Sequence, residues 1–238
     1  YVIGRSRLKN LKETTLRSFF EVCSMQGLKA NVDFTYHETK SLITIHQTQS
    51  EILLKDLFHY PSDPNFDSLG SMEITGAFID EATEITPMAF NVIQSRMRYN
   101  LDEHGLIPKL LMTCNPSKGW IYSEFYKPFK SNTLPKTKQF VQSLVTDNPN
   151  ISKHYIKQLQ QLDVLNQKRL LFGDWEYSDE DTQLFSIDAL NDMFTNDFVS
   201  GVGTKYISVD VARYGRDKSV ICLWNDWRVE EIKTLDKN

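Results

Sequence analysis

Two acids in succession, Asp80 and Glu81, close the apolar run Ala77-Phe78-Ile79, and that pair offers the chain its clearest chemistry. A short apolar run of this kind reads as a buried strand of an α/β sheet, and ligands of open sheets gather at the carboxyl ends of such strands. In nucleotide hydrolysis one carboxylate at that place holds Mg2+, commonly through water, while the next polarises the attacking water. Asp80 fits the first role and Glu81 the second; the same two residues would equally open a polar turn or cap a helix. The next apolar run, Leu110-Leu111-Met112, hands over to Thr113 and Asn115. That puts a hydroxyl and an amide at the same expected sheet edge, where both can sense a γ-phosphate or a positioned water by hydrogen bonding. Asn115-Pro116 taken alone is also a common turn dipeptide.

A second acidic pair stands near the carboxyl terminus. Asp210 interrupts the run Ile207-Ser208-Val209-Asp210-Val211, where an acid between valines calls for a partner or a metal. Alternation places Tyr206, Ser208 and Asp210 on one face, and Asp217 opens the following strand close enough to converge on it. Two such acids can begin a divalent-metal cluster for phosphodiester hydrolysis. As an edge residue and a hairpin residue they would need no metal.

The elements that must position these groups follow from the hydrophobic pattern. Short apolar runs alternate with segments of helical period, the form of an α/β sheet with crossover helices. Val2-Ile3 reads as a buried strand. Leu16, Phe19, Phe20 and Cys23 recur at i, i+3, i+4 and i+7, a one-sided helix lying back on it. Val32, Phe34 and Tyr36 alternate, as do residues 42–46, and Ile52-Leu53-Leu54 follows a polar tetrad; together they read as an antiparallel excursion at the sheet edge. Pro61 to Gly70 is loop, and Thr86 followed by Pro87 supplies an N-cap and a first-turn proline for a helix over Ala89, Val92, Ile93 and Arg96. Trp120 to Phe129 reads as helix, Phe140 to Val145 as a further strand, and Tyr155 to Phe172 as a helix ended by Gly173 in a left-handed cap. Residues 178–200 form a linker, and 201–238 open a second, strand-led domain.

Composition bounds the partners. A chain of 238 residues with 40% apolar and 12% aromatic content can bury a core. Its formal charge of -4 means that any contact with nucleic acid is local. Lys127, Lys130, Lys136 and Lys138 are such a local cluster, readable as a DNA-backbone contact or as a solvated face. The three cysteines, Cys23, Cys114 and Cys222, have no metal or disulfide spacing and read as buried reduced thiols, and the five histidines show no HxxxH pattern. No run reaches the apolar length of a membrane span.

Gly76 to Ile85 is similar to the Walker B segment of phage terminase large subunits, and Leu111-Met112-Thr113-Cys114-Asn115-Pro116 resembles their coupling motif of the Thr-x-Asn-Pro type, in the same order and at about the same thirty-residue separation. Thr146-Asp147-Asn148-Pro149 and Gly173-Asp174-Trp175 resemble the segment that closes the family's ATPase domain. Val2-Ile3-Gly4-Arg5 through Leu16-Arg17 resembles the strand and helix after its phosphate-binding loop. Ser208-Val209-Asp210-Val211-Ala212 with Gly215 and Asp217 resembles the opening of its RNase H-like nuclease domain.

The resemblance implies a P-loop NTPase-type, mostly parallel sheet over residues 1–177 and the start of an RNase H-like domain over 201–238. It also implies a DNA-packaging enzyme that couples ATP hydrolysis to DNA translocation and cuts DNA with a metal-dependent nuclease. ATP and Mg2+ at Asp80 and Glu81, Mg2+ or Mn2+ at Asp210 and Asp217, double-stranded DNA, a portal protein, a small terminase subunit and a homo-oligomeric ring come with it, as does a place in the infected host's cytoplasm and transiently at the procapsid portal. Motor rings commonly bring an arginine to a nucleotide phosphate, and Arg5, leaving the first strand on the nucleotide edge, is the first candidate.

The sequence departs from the family in one respect: no Gly-x-x-x-x-Gly-Lys-[Ser/Thr] occurs in it. Gly4-Arg5-Ser6-Arg7 lacks the second glycine and the lysine, and Gly201-Val202-Gly203-Thr204-Lys205 runs into a strand rather than opening a helix. The resemblance puts the loop ahead of Tyr1 and later nuclease acids beyond Asn238, so the stretch reads as an inactive fragment of an active enzyme. A helicase-type P-loop ATPase and a non-catalytic DNA-binding or assembly module are the alternatives.

Overall fold

Val2 and Ile3 are adjacent and both buried. Successive side chains of a strand point to opposite faces, so this strand must be covered on both sides. The computed structural model describes residues 1–177, 202–212 and 218–235. Val2 joins one buried cluster with Ile79, Ala89, Phe90 and Ile93, whereas Ile3 joins another with Leu11, Leu16, Ile43 and Leu54. Between the two clusters runs a six-stranded sheet in the order β2-β3-β4-β1-β5-β6. Its strands are β1 (Val2–Arg5), β2 (Phe34–His37), β3 (Leu42–Ile45), β4 (Ser50–Asp56), β5 (Ala77–Ile79) and β6 (Leu110–Met112).

β4, β1, β5 and β6 are parallel, and β2 and β3 extend the sheet antiparallel at the β4 side, the edge excursion the alternation predicts. The register aligns Gly4 with Ile79 and Ile79 with Met112. Arg5, Asp80 and Thr113 therefore leave the sheet side by side. Gly4 leaves room for the buried Leu57, since a Cβ there would lie 2.5 Å from Leu57 Cδ1 and that side chain would have to move.

Helix α1 (Leu8–Glu13) breaks at Thr14 into α2 (Thr15–Met25), whose Leu16 and Cys23 are buried on the predicted stripe. On the other face α3 (Pro87–Arg96) starts as its sequence requires, with Thr86 Oγ1 accepting the Ala89 amide at 3.2 Å and Pro87 in the first turn. The segment after Trp120 is helical, with a π turn over Tyr122–Tyr126 leading into α4 (Lys127–Lys130). The helix expected over 155–172 is instead two pieces, α5 (Lys153–Leu159) and α6 (Val164–Asn166), the latter continuing as a π turn over Gln167–Leu171. Asp163 restarts it by accepting the Asn166 amide at 3.0 Å. Gly173 is left-handed at φ 58, as expected of a helix stop.

Phe140 to Val145 do not form the expected strand. Their contacts run through side chains: Phe140 packs edge-on against Trp175 at 5.6 Å and against Tyr126 at 5.6 Å, and Gln142 Nε2 donates to Gly173 O at 2.9 Å. Trp175, only 5% exposed, stacks on Tyr126 at 5.4 Å and holds this corner together. Trp175→Ala should cost about 3–5 kcal/mol of stability, read as a lower unfolding midpoint in denaturant or heat. An unchanged midpoint would show that the aromatic cluster is dispensable.

The chain divides into two compact units, Tyr1–Asp179 and Glu180–Asn238. The second contains an antiparallel meander of β7 (Lys205–Asp210), β8 (Ser219–Asn225) and β9 (Arg228–Leu235). The expected linker over 178–200 lies outside the described residues. No helix among the described residues is long and apolar enough to cross a membrane.

Candidate functional site

Asp80 sits one residue beyond β5, its amide bonded to Gly4 O at 2.9 Å, so the neighbouring strand fixes its backbone. Its carboxylate is almost fully engaged. Oδ1 accepts from Thr113 Oγ1 at 2.8 Å and from the Glu81 amide at 3.1 Å. Oδ2 accepts a short hydrogen bond from Thr15 Oγ1 and lies 3.9 Å from Arg5 Nη1. Thr113 continues the ladder past β6 by donating its amide to Ile79 O at 3.0 Å, and its carbonyl accepts from the Ala82 amide at 2.9 Å. The structure thus brings Asp80, Glu81 and Thr113 together at the carboxyl end of the parallel sheet. Asn115, two residues farther along, is exposed.

Glu81 adopts a left-handed backbone, φ 50 and ψ 53, and starts a single 3-10 turn over Ala82–Glu84. Burial pushes its carboxyl above the usual glutamate range, and the Asp80 charge adds to this while Arg5 opposes it. Cys114 lies between Thr113 and Asn115 in sequence and is pushed up to about 11 by burial, with the Glu81 charge adding. At neutral pH that thiol is protonated and is no nucleophile.

Arg5 is held by an acid and a hydroxyl close to Asp80. Its guanidinium grips Glu84 with two prongs, Nε to Oε2 at 3.3 Å and Nη2 to Oε1 at 3.2 Å, and donates through Nη1 to Thr14 Oγ1 at 2.7 Å. The basic cluster is also partly spent internally: Lys130 pairs with Glu176 at 3.1 Å and Lys138 with Glu124 at 3.2 Å. Arg98 pairs with Glu73, ahead of the amino end of β5 and away from Asp80. Sequence reasoning missed Thr15 and the role of Glu84. Nothing marks a threonine at the start of a helix as a partner for an acid 65 residues later.

In the second unit Asp210 ends β7 and is exposed, with Ser208 of the same face accepting from Trp224 Nε1 at 2.8 Å. Asp217 lies outside the described residues, and so does its expected convergence on Asp210. Among the described residues no three His, Cys, Asp or Glu side chains are grouped to hold a metal. Gly203 N donates to Asn225 Oδ1 at 3.0 Å just before β7, so this glycine belongs to a strand entry, as predicted, and not to a helix-opening loop.

The family model for the phage terminase large subunit matches residues 5–172. The chain belongs to this family. Solved terminases share its fold. The large terminase of a thermophilic bacteriophage, 18% identical, superposes with a TM-score of 0.57 over 99% of this chain and 55% of its own. The same terminase in complex with ADP, 17% identical, gives a TM-score of 0.58 over 94% of this chain and 51% of its own, and its ATP-γ-S complex, 18% identical, gives 0.51 over 94% and 50%. The present terminase chain therefore spans about half the length of these solved relatives. No curated protein matches the sequence. Membership in the terminase family replaces the helicase-type reading.

Proposed function

We propose that the first unit of this terminase chain forms part of the ATP-hydrolysing site of a packaging motor, with Asp80 serving the nucleotide's Mg2+, Glu81 polarising the attacking water, and Thr113 and Asn115 sensing the γ-phosphate. The observation that carries the reading is the meeting of Asp80, Glu81 and Thr113 where β5 and β6 end. The ADP and ATP-γ-S complexes of the thermophilic phage's terminase support a nucleotide as the ligand.

The donor set fits a hard cation, being carboxylate and hydroxyl oxygen. Bound Mg2+ would neutralise charge developing on the phosphoryl oxygens. Asp80 has both Oδ1 lone pairs taken by Thr113 and Glu81 and one on Oδ2 taken by Thr15. One lone pair is left, which suits hydrogen bonding to a metal-bound water better than bidentate ligation. Thr15 and Thr113 hold the carboxylate plane still for that purpose. The Glu81 carboxyl, offset by one residue and turned by its left-handed backbone, makes no such bonds among the described residues and can take a proton from water.

Coupling of hydrolysis to DNA translocation, double-stranded DNA as the cargo, a homo-oligomeric ring, and a portal and small subunit as partners follow from family membership as part of this proposal, with the host cytoplasm and the procapsid portal as the places of action. In the second unit we assign Asp210 and Asp217 to an RNase H-like nuclease using Mg2+ or Mn2+, on the resemblance of Ser208 to Ala212.

Asp80→Asn tests the first unit in the full-length protein. The Mg2+ concentration for half-maximal ATPase rate should rise by about tenfold or more. A Mg2+ titration that overlays the parent's would remove Asp80 from that role.

A further inference from the structure

The left-handed backbone of Glu81 is one a residue with a side chain adopts when its surroundings hold it there. Backbone bonds do part of this: Asp80 N to Gly4 O at 2.9 Å before it, Ala82 N to Thr113 O at 2.9 Å after it, and Glu84 N to Glu81 O at 2.8 Å closing the turn. The far end of the turn is anchored through a side chain, by the two-pronged grip of Arg5 on Glu84. Arg5 is itself fixed. Its side chain is 13% exposed, its Nη1 donates to Thr14 Oγ1 at the break between α1 and α2, and its backbone lies in β1 beside β5. The planar guanidinium matches a carboxylate fork in a way a point charge does not.

We infer that Arg5 and Glu84 are a positioning pair for Glu81, clamping the 82–84 turn so that the Glu81 carboxyl faces the reacting water, and that Arg5 is engaged in this clamp rather than in holding a nucleotide phosphate. The inference rests on the reading of Glu81 as the water-polarising residue. It differs from a phosphate-contacting Arg5 in what it requires of Glu84: the acid and the arginine must matter together, and for turnover rather than for binding.

The experiment is a double-mutant cycle in the full-length protein with Arg5→Gln, Glu84→Gln and both, plus Arg5→Lys and a Glu81→Gln reference. Steady-state ATPase and the affinity for a fluorescent ATP analogue are measured after thermal melting shows each variant folded. Each single variant lowers kcat by about tenfold while analogue affinity stays within about twofold, and the double variant lies within about threefold of the worse single, because the second change removes nothing that remains. Arg5→Lys retains folding and recovers only part of the rate, which keeps the test usable where Arg5→Gln fails to fold. Analogue affinity weakened about tenfold in Arg5→Gln but unchanged in Glu84→Gln would make Arg5 a phosphate ligand and overturn the clamp. So would losses that multiply in the double variant. An inactive Glu81→Gln beside fully active Arg5 and Glu84 variants removes the clamp alone, whereas a fully active Glu81→Gln removes the reading of Glu81 and the clamp with it.

Discussion

Glu81→Gln in the full-length terminase lowers ATP turnover by about two to four orders of magnitude while nucleotide affinity stays within about twofold. The amide keeps the size and planarity of the side chain and loses the proton acceptor, so binding surfaces are preserved and only the step that needs a base is lost. The backbone at 81 is no harder for glutamine than for glutamate, since both carry a Cβ at φ 50. The same residue fixes a pH signature. Burial raises the Glu81 carboxyl above its ordinary value, the Asp80 charge raises it further, and Arg5 pulls the other way. The working form is the deprotonated one. A raised value therefore moves the acid limb of the turnover profile to higher pH, and activity falls as pH drops through it. Single-turnover phosphate release across pH checks both parts. A Glu81→Gln protein hydrolysing ATP at the parent rate would end the assignment.

The polypeptide 1–238 expressed by itself should release no phosphate from ATP and nick no plasmid above background in Mg2+ or Mn2+. Phosphate in such enzymes is cradled by loop amides and a lysine, and the sequence contains no Gly-x-x-x-x-Gly-Lys-[Ser/Thr]. Asp80 and Glu81 then have no fixed substrate to act on. On the nuclease side, two-metal hydrolysis needs ions held about 4 Å apart by several ligands, and Asp210 with Asp217 supply two carboxylates. Circular dichroism establishes that the sample is folded before either assay is read. Robust activity from pure, folded polypeptide in one assay would mean that the corresponding site is built from other residues.

Much of the sheet is legible in the chain because parallel strands carry short apolar runs that stop at a polar group, as Ile79 does at Asp80 and Met112 at Thr113. The start of α3 is legible for a local reason, since Thr86 and Pro87 perform their capping within one turn. The site is legible only in part. Asp80 and Glu81 carry a spacing signal, but the hydroxyl from Thr15 and the clamp from Arg5 to Glu84 join residues 65 and 79 positions apart, and no periodicity encodes such contacts. Phe140 to Val145 misleads because apolar residues in a short segment show that something covers them, not what; an aromatic corner around Trp175 covers Phe140 as well as a ladder would. The lysines of 127–138 are legible only as a count of charge, which does not show that Glu124 and Glu176 fold back onto two of them.

β6 closes one side of the sheet, with Leu111 63% exposed. Its inner side is saturated by β5, so among the described residues its outer row of amides and carbonyls is an open valence for one more strand. Growth of the sheet there would leave the Asp80 and Thr113 bonds untouched, because those are made on the inner side. A newcomer running parallel to β6 would also deliver its own carboxyl end, and the loop that follows, directly beside Thr113 and Asn115. Any strand that seated against Leu110 to Met112 would therefore meet Asp80 and Thr113 already fixed by bonds on the inner side.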